Sequence, residues 1–415
     1  MRSSSAPWLS LLLFATACGG GSNAGVYASV DASARDGAVL DGQIADAAPD
    51  ARDDGPLAGL SFGRWNKVEI PGTVCGDGSQ YKFFVNPTHF SDNLVVYFEP
   101  GGACWDFDSC SHRGGVMGAA NPNGIPDNHM DLWRVAAPII VRNDANPLKD
   151  WNYVFVPYCT GDIHSGRSVH TYVDPTGVEP DLVWHHAGRA DNQAVIGWIG
   201  EHFTRSIPKM LLTGCSAGGA GSLANYYFYR KDLPNVEHGY LLSDSGPIFP
   251  DAGNSKPMHD TIRAAWDLDG LIHDEIPEYE RELTDLGALN DLLANEFPDD
   301  RLSSVFFRLD YNYSLYSYSR FYADPPRSEI YRLWWEDTQL MMAQYDAHPN
   351  LGYYLPFWRE DNSSHCLTII RWQGTEIEGA GMDLRDYVNH LLDDATPLRS
   401  YLETAREGPY ADQAP

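Results

Sequence analysis

The stretch Lys209-Met210-Leu211-Leu212-Thr213-Gly214-Cys215-Ser216-Ala217-Gly218-Gly219 decides the architecture of this chain. Its first half is a short apolar run of the kind that forms a buried strand. From Ala217 to Tyr229 the apolar spacing predicts a helix. A strand that turns sharply into a helix through Gly-x-Ser-x-Gly lifts the serine hydroxyl clear of the sheet. Glycine suits both flanks because the serine backbone is strained and the neighbouring chain approaches closely. A glycine-rich strand–helix turn without chemistry is the plain alternative. The strand-then-helix setting argues against it.

The flanking sequence repeats this alternation. Asn93–Glu99 reads as a buried strand stopped by Pro100-Gly101-Gly102, and Trp151–Pro157 as another that ends in the loop from Tyr158 to Gly166. Ala190–Phe203 carries Val195, Ile196, Trp198, Ile199 and Phe203 at helical spacing, and Gly239–Ser243 is a fourth strand ending at Asp244-Ser245-Gly246-Pro247. Strands alternating with helices predict an α/β fold, a mostly parallel sheet covered on both faces. Sites in such folds gather at the carboxyl ends of the strands. Asp260–Tyr353 reads as a helical, aromatic-rich insertion. Tyr311, Tyr313, Tyr316, Tyr318, Phe321, Tyr322, Trp334 and Trp335 are expected mainly in the core, with a minority on a substrate wall or lid.

The amino terminus reads as export machinery. Arg2, the apolar run from Trp8 to Ala17 and the small residues Ala15-Thr16-Ala17 predict a signal peptide over residues 1–17. Cys18, followed by Gly19-Gly20-Gly21-Ser22, resembles a bacterial lipoprotein cleavage site, although a leucine is more usual at position 15. We favour lipidation at Cys18 over simple cleavage, which would give membrane contact through acyl chains alone. Residues 18–57 are rich in Ala, Asp and Gly and read as a flexible acidic tether. Residues 58–415 remain for one large domain, expected as a monomer in the cell envelope or outside the cell.

The net charge of −28 excludes a basic nucleic-acid-binding face and disfavours simple attraction to a polyanion. Setting Cys18 aside leaves Cys75, Cys104, Cys110, Cys159, Cys215 and Cys366. In an exported chain this even set predicts three disulfides, with fifteen connectivities allowed by spacing. The spacings do not match a zinc site, and neither metal nor organic cofactor is expected.

Ser216 is the candidate nucleophile. Cys215 is the alternative, disfavoured because the position before the serine points away from the apex of such a turn. The oxyanion donors are expected to be the N–H of Ala217 and those of Gly101 and Gly102, which can aim amides inward without a Cβ in the way. For the base, the usual chain order Ser, acid, His leaves His238, His259, His273, His348, His365 and His390 among fourteen histidines. His365 is favoured because it sits in a polar loop before the strand-like Leu367–Trp372, whereas His390 falls in a helical run. Asp310, after the apolar Val305-Phe306-Phe307, is the favoured acid. Asp244, which also ends a strand, is its rival. Asp285 and Asp361 are more distant choices.

Val74-Cys75-Gly76-Asp77-Gly78-Ser79, Glu99-Pro100-Gly101-Gly102-Ala103-Cys104, Tyr158-Cys159-Thr160-Gly161-Asp162, the Gly214–Gly219 turn and Ser243-Asp244-Ser245-Gly246 together resemble the pectin acetylesterase family, which includes the animal Notum carboxylesterases. The likeness runs in pieces over most of residues 65–375. It implies an α/β-hydrolase-like fold, puts the acid of the family at Asp310 and its histidine at His365, and implies deacetylation of a polysaccharide, pectin above all. Pro100 and Ala103 depart from the pattern by replacing a Gly and a Trp, with Trp105 two residues late, so the pocket shape does not carry over.

The order Cys-Ser, Asp, His-Cys is also similar to that of tannases and feruloyl esterases, where paired cysteines bridge the serine and histidine loops. That likeness implies a Cys215–Cys366 disulfide. Cys104 and Cys110 then suit a local staple of the oxyanion loop, and Cys75 with Cys159 is what remains. The expected activity is hydrolysis of a carboxylic ester: an acetylated glycan first, with a short acyl, aryl or protein-bound lipid ester as the alternative. A surface glycan-binding protein on a decayed hydrolase fold is the rival from another class.

Overall fold

The computed structural model describes residues 55–113, 116–277, 279 and 284–404. The expected signal peptide, Cys18 and the tether up to residue 54 lie outside them. Gly55–Leu57 form a single 3-10 turn.

The chain runs through β1 (Asn66–Val74), β2 (Gln80–Asn86), β3 (Leu94–Phe98), α1 (Phe107–Cys110), α2 (Met130–Ala136), β4 (Asn152–Val156), β5 (Ser168–Tyr172), β6 (Leu182–His186), α3 (Gly188–His202), β7 (Ile207–Cys215), α4 (Ala217–Asp232) and β8 (Val236–Asp244). It continues through α5 (Lys256–Trp266), α6 (Leu268–Glu275), α7 (Leu289–Glu296), β9 (Arg301–Val305), α8 (Tyr311–Tyr318), α9 (Arg327–Tyr345), β10 (Leu351–Leu355), α10 (Leu384–Leu391) and β11 (Tyr401–Leu402). One nine-stranded sheet has the order β1-β2-β4-β3-β7-β8-β9-β10-β11. From β4 to β11 neighbouring strands are parallel; only β1–β2 and β2–β4 are antiparallel. β5 and β6 form a separate two-stranded ribbon.

Burial explains the central strands. Every residue of β3 and β4 is buried, as expected for parallel strands covered on both faces. Covering such apolar side chains contributes roughly 1.5–3 kcal/mol for each Val, Leu, Ile or Phe. β9 shows which helices cover which face. Ser303 Oγ meets Tyr387 Oη of α10 at 2.6 Å, and Ser304 Oγ meets Tyr345 Oη of α9 at 2.8 Å. Consecutive strand residues point to opposite faces, so α9 and α10 lie on opposite sides of the sheet. α7 packs with both α4 and α9, which places α4 on the α9 side.

One expectation is refined and another fails. Asp260–Tyr353 is not simply a helical insertion, because β9 inside it joins the main sheet. Arg301-Leu302-Ser303-Ser304-Val305 looks too polar for a buried strand, but the serine hydroxyls are satisfied by tyrosines and the whole strand is buried. Of the aromatic residues in this stretch, Tyr318 and Trp334 are buried, and Tyr311, Tyr313 and Tyr322 pack half-buried against the core. Leu367–Trp372 is not a strand either. Leu367–Ile369 and Trp372–Gly374 are 3-10 turns, and the Leu367 and Thr368 amides bond to a side chain, so they are not available to pair with another strand.

Candidate active site

β7 ends at Cys215 and α4 begins at Ala217, leaving Ser216 between them with φ +55° and ψ −121°. That left-handed backbone is costly for a side-chain-bearing residue, of order 1–3 kcal/mol, and persists only where the surroundings impose it. Here Ser216 N–H donates to Asp244 O at 2.8 Å, and Ser216 O accepts the Ala220 N–H at 3.0 Å. The flanking glycines are required by space. A Cβ at Gly218 would stand 2.1 Å from Phe98 O, and one at Gly219 would stand 2.1 Å from Asp244 O.

His365 is brought to this turn by a strained loop after β10. Asn362, Ser363, Ser364 and Cys366 all have positive φ. Ser364 Oγ locks the loop by accepting the Arg359 N–H at 2.6 Å and donating to Arg359 O at 2.7 Å. His365 Nδ1 lies 2.8 Å from Asp310 Oδ2 and 3.0 Å from Oδ1. Asp310 is wholly buried and also caps α8, accepting the Tyr313 N–H at 3.0 Å. An Nδ1–H donating to this carboxylate leaves Nε2 as the basic nitrogen. Burial lowers the imidazole's affinity for a proton, but the charge and hydrogen bond of Asp310, with the charge of Asp244 added, outweigh it. The His365 pKa lies above its usual 6.5.

All three expected cysteine pairs are disulfides: Cys215–Cys366, Cys104–Cys110 and Cys75–Cys159, with Cα separations of 5.4, 4.9 and 5.1 Å. The first joins the neighbours of Ser216 and His365. It also removes the alternative nucleophile, because Cys215 is buried and carries no thiol. Two clusters have the spacing of metal ligands, Cys215–His365–Cys366 and Cys104–Cys110–His186. In both the sulfurs are committed to disulfides and are not thiolate donors.

The Gly101–Gly102 loop has the backbone its glycines suggest. Gly101 has φ +157° and Gly102 φ +79°, and a Cβ on Gly102 would stand 1.8 Å from Met117 O. The next two amides are occupied: Ala103 N–H donates to Met117 O at 3.1 Å and Cys104 N–H to Gly161 O at 2.8 Å. Among the described residues, the amides of Gly101 and Gly102 have no acceptor. Ala217 is the first residue of α4, where amides lack helical partners.

The bonds that hold this loop escaped the sequence reading. Glu99, buried, accepts the Tyr158 N–H at 2.7 Å, Asn121 Nδ2 at 2.9 Å and Trp133 Nε1 at 2.9 Å. His164 Nε2 lies 3.0 Å from Glu99 O, and its own carbonyl accepts Asn192 Nδ2 and Asn225 Nδ2, each at 3.0 Å. Burial pushes the His164 pKa down to about 4, so its ring is neutral at pH 7 and donates from Nε2. The Tyr158–Gly166 loop was visible in sequence, but the bond from His164 back to Glu99 was not.

The other candidates lie elsewhere. Asp244 does not bond the imidazole; its carboxylate takes the Leu367 and Thr368 amides. Asp285 caps a 3-10 turn through the Gly287 N–H, and Asp361 begins the 3-10 turn of the histidine loop. His259 pairs with Asp251 and His348 with Asp291, each at 2.7 Å, while His390 Nε2 accepts the Arg399 N–H. His238 is exposed near the start of β8, and His273 lies on α6.

An apolar pocket is lined among others by Ile163, Pro247, Ile248, Ile262, Leu271 and Tyr313. Pro247 follows Gly246, where a Cβ would stand 2.6 Å from Ser216 O. Of its lining residues, Pro247 thus comes directly after a residue that packs on the Ser216 turn.

The sheet order, the strained strand–helix turn and the histidine loop after β10 define an α/β-hydrolase fold. The family model described as pectinacetylesterase matches residues 62–279, just over half of the chain. The chain belongs to the pectinacetylesterase family. The match includes Gly101, Gly102 and Ser216 and stops before Asp310 and His365. Pectin acetylesterase 5 of Arabidopsis thaliana is 29% identical over 209 residues, 48% of this chain and 45% of that protein. Palmitoleoyl-protein carboxylesterase notum2 of Xenopus laevis is 27% identical over 155 residues, 37% of this chain and 29% of that protein. The chain thus spans less than half the length of these relatives. The Wnt deacylase Notum from Drosophila superposes with a TM-score of 0.55 at 19% identity, covering 85% of this chain and 99% of that one. At that identity the likeness is one of fold.

Proposed function

We propose that this chain is a serine carboxylic-ester hydrolase that removes acyl groups, acetyl above all, from a polysaccharide. The observation that carries the reading is the Asp310–His365 pair, tied through Cys366–Cys215 to the strained Ser216 turn. Ser216 Oγ attacks the ester carbonyl carbon while His365 Nε2 takes its proton. Asp310 holds the imidazole in the tautomer that leaves Nε2 free and stabilises the imidazolium without becoming protonated. The Ala217, Gly101 and Gly102 N–H groups take the charge that develops on the carbonyl oxygen. The imidazolium returns its proton to the leaving alcohol. Water, deprotonated by His365, then attacks the acyl-serine and releases the acid.

The family supports an ester substrate, and the names of its members point to acetylated pectin or an acylated protein. The net charge of −28 favours a glycan with few carboxylates over a densely charged polygalacturonate. Export and lipidation at Cys18 remain part of the proposal on sequence grounds. Labelling with a fluorophosphonate probe, with and without Ser216→Ala, tests the mechanism; a wild-type chain that takes no Ser216-dependent label ends it. Acetate release from acetylated pectin, acetyl-xylan and aryl acetates, measured side by side, tests the substrate.

A further inference from the structure

Asp244 ends β8 with its side chain wholly buried and both carboxylate oxygens engaged. Oδ1 accepts the Leu367 N–H and Ser245 Oγ–H, each at 3.0 Å. Oδ2 accepts the N–H and the Oγ–H of Thr368, each at 2.7 Å. Its main-chain oxygen accepts the Ser216 N–H. Ser245 extends the same grip. Its Oγ accepts the Cys366 N–H at 2.9 Å, and its N–H donates to Val305 O at 2.7 Å, at the end of β9.

Three consecutive amides directly after His365 therefore end on the Asp244-Ser245 dipeptide. The same dipeptide holds the nucleophile turn and the strand that leads to Asp310. The histidine loop cannot anchor itself by strand pairing, since Cys366 has φ +63° and the residues after it form a 3-10 turn. An anionic acceptor makes stronger bonds to such amides than a neutral one.

We infer that Asp244 is a positioning residue for the ester hydrolysis proposed above, a reading on which this inference rests. It fixes His365 against Ser216 by holding the histidine loop to the end of β8, and its charge favours the imidazolium that forms when Ser216 gives up its proton. Burial pushes the Asp244 pKa up to about 6 against the pull of its four donors, so the group is ionised at pH 7–8. The titratable groups that feel its charge are His365 and, from β3, Tyr97.

The test compares wild type, Ser216→Ala, Asp244→Asn, Thr368→Val and Ser245→Ala on a chromogenic aryl acetate across pH 5–9. An asparagine cannot accept all four donors, and its NH2 group would face the amide N–H groups. In Asp244→Asn, kcat is expected to fall by roughly ten- to a hundredfold with KM nearly unchanged. The acid limb of kcat/KM is expected to move down by roughly half a pH unit, because the imidazolium loses a favourable charge. Thr368→Val and Ser245→Ala should move both quantities the same way by smaller amounts. A soluble Asp244→Asn with a lower Tm but the wild-type kcat and acid limb overturns the inference, since a merely structural role leaves both in place. If Asp244→Asn does not fold, wild-type kcat and acid limb in both hydroxyl variants overturn it. Wild type without Ser216-dependent turnover sinks the hydrolase reading and this inference with it.

Discussion

Cys215 and Cys366 are 151 residues apart in sequence, yet their disulfide holds their Cα atoms 5.4 Å apart, one residue from Ser216 and one from His365. The bridge crosses from the end of β7 to the loop after β10, and no described secondary-structure pairing joins those two segments. A bond closing so long a loop restricts the unfolded chain strongly. Replacing both cysteines by alanine is expected to lower stability by about 2–5 kcal/mol. It should also lower kcat well below the melting transition. Thermal unfolding read beside kcat checks this; a variant with lower Tm and unchanged kcat would mean that the bridge plays no part in aligning the site.

Asp310→Asn should leave the substrate bound but the imidazole in the wrong tautomer. The expected loss in kcat is on the order of 10^3–10^4, with KM little changed. Steady-state kinetics on an aryl acetate gives the answer. A loss comparable to that of Asp244→Asn would contradict the assignment of Asp310 as the partner of His365.

The raised pKa of His365 sets the pH response. In the proposed mechanism the neutral imidazole is the base, so kcat/KM should fall with acid through a limb above 6.5. The stability consequence has the opposite sense. A folded-state pKa above the unfolded value adds stability that is fully present below about 6.5 and lost as pH rises through the folded pKa. The pH dependence of kcat/KM beside that of Tm, each compared with Asp310→Asn, measures both. An acid limb at or below 6.5 would contradict the electrostatics described.

Gly102→Ala places a Cβ against Met117 O at a backbone angle that disfavours it. Displacing one oxyanion donor costs about 10^2–10^3 in kcat. Fluorophosphonate labelling and aryl acetate turnover should both decline. Unchanged turnover would remove this loop from the oxyanion site.

The apolar pocket lined by Pro247, Ile262 and Leu271 is expected to receive the acyl chain. Ile262→Trp or Leu271→Trp fills it. The kcat/KM for an aryl hexanoate should then fall by about tenfold or more while that for the acetate holds within about twofold. A parallel loss on both esters would show that the pocket does not select the acyl chain.

Much of this was legible without coordinates. The Gly-Cys-Ser-Ala-Gly-Gly turn between an apolar run and a helical one shows itself locally, because a tight turn demands glycine wherever the chain goes next. β3 and most of β4 are continuous apolar runs, β7 and β8 each hold a shorter one, and turn residues such as Gly101–Gly102 end them. β9 was missed because its two serines disguise it, and a hydroxyl's buried partner lies far along the chain. The clasp of His164 on Glu99 was missed for the same reason.

Residue type and local spacing determined the class of fold, the candidate nucleophile, the candidate oxyanion glycines and the favoured histidine, since each follows from backbone constraints within a few residues. Only the tertiary structure showed which of Asp310 and Asp244 pairs with His365. Asp244 ends one strand and Asp310 follows its parallel neighbour, with Asp244 in register with Val305 five residues before Asp310. The choice rests on which way each side chain points: Asp310 toward the imidazole, Asp244 toward the amides behind it. Side-chain direction at the end of a strand is set by packing from distant segments, and linear spacing carries no record of it.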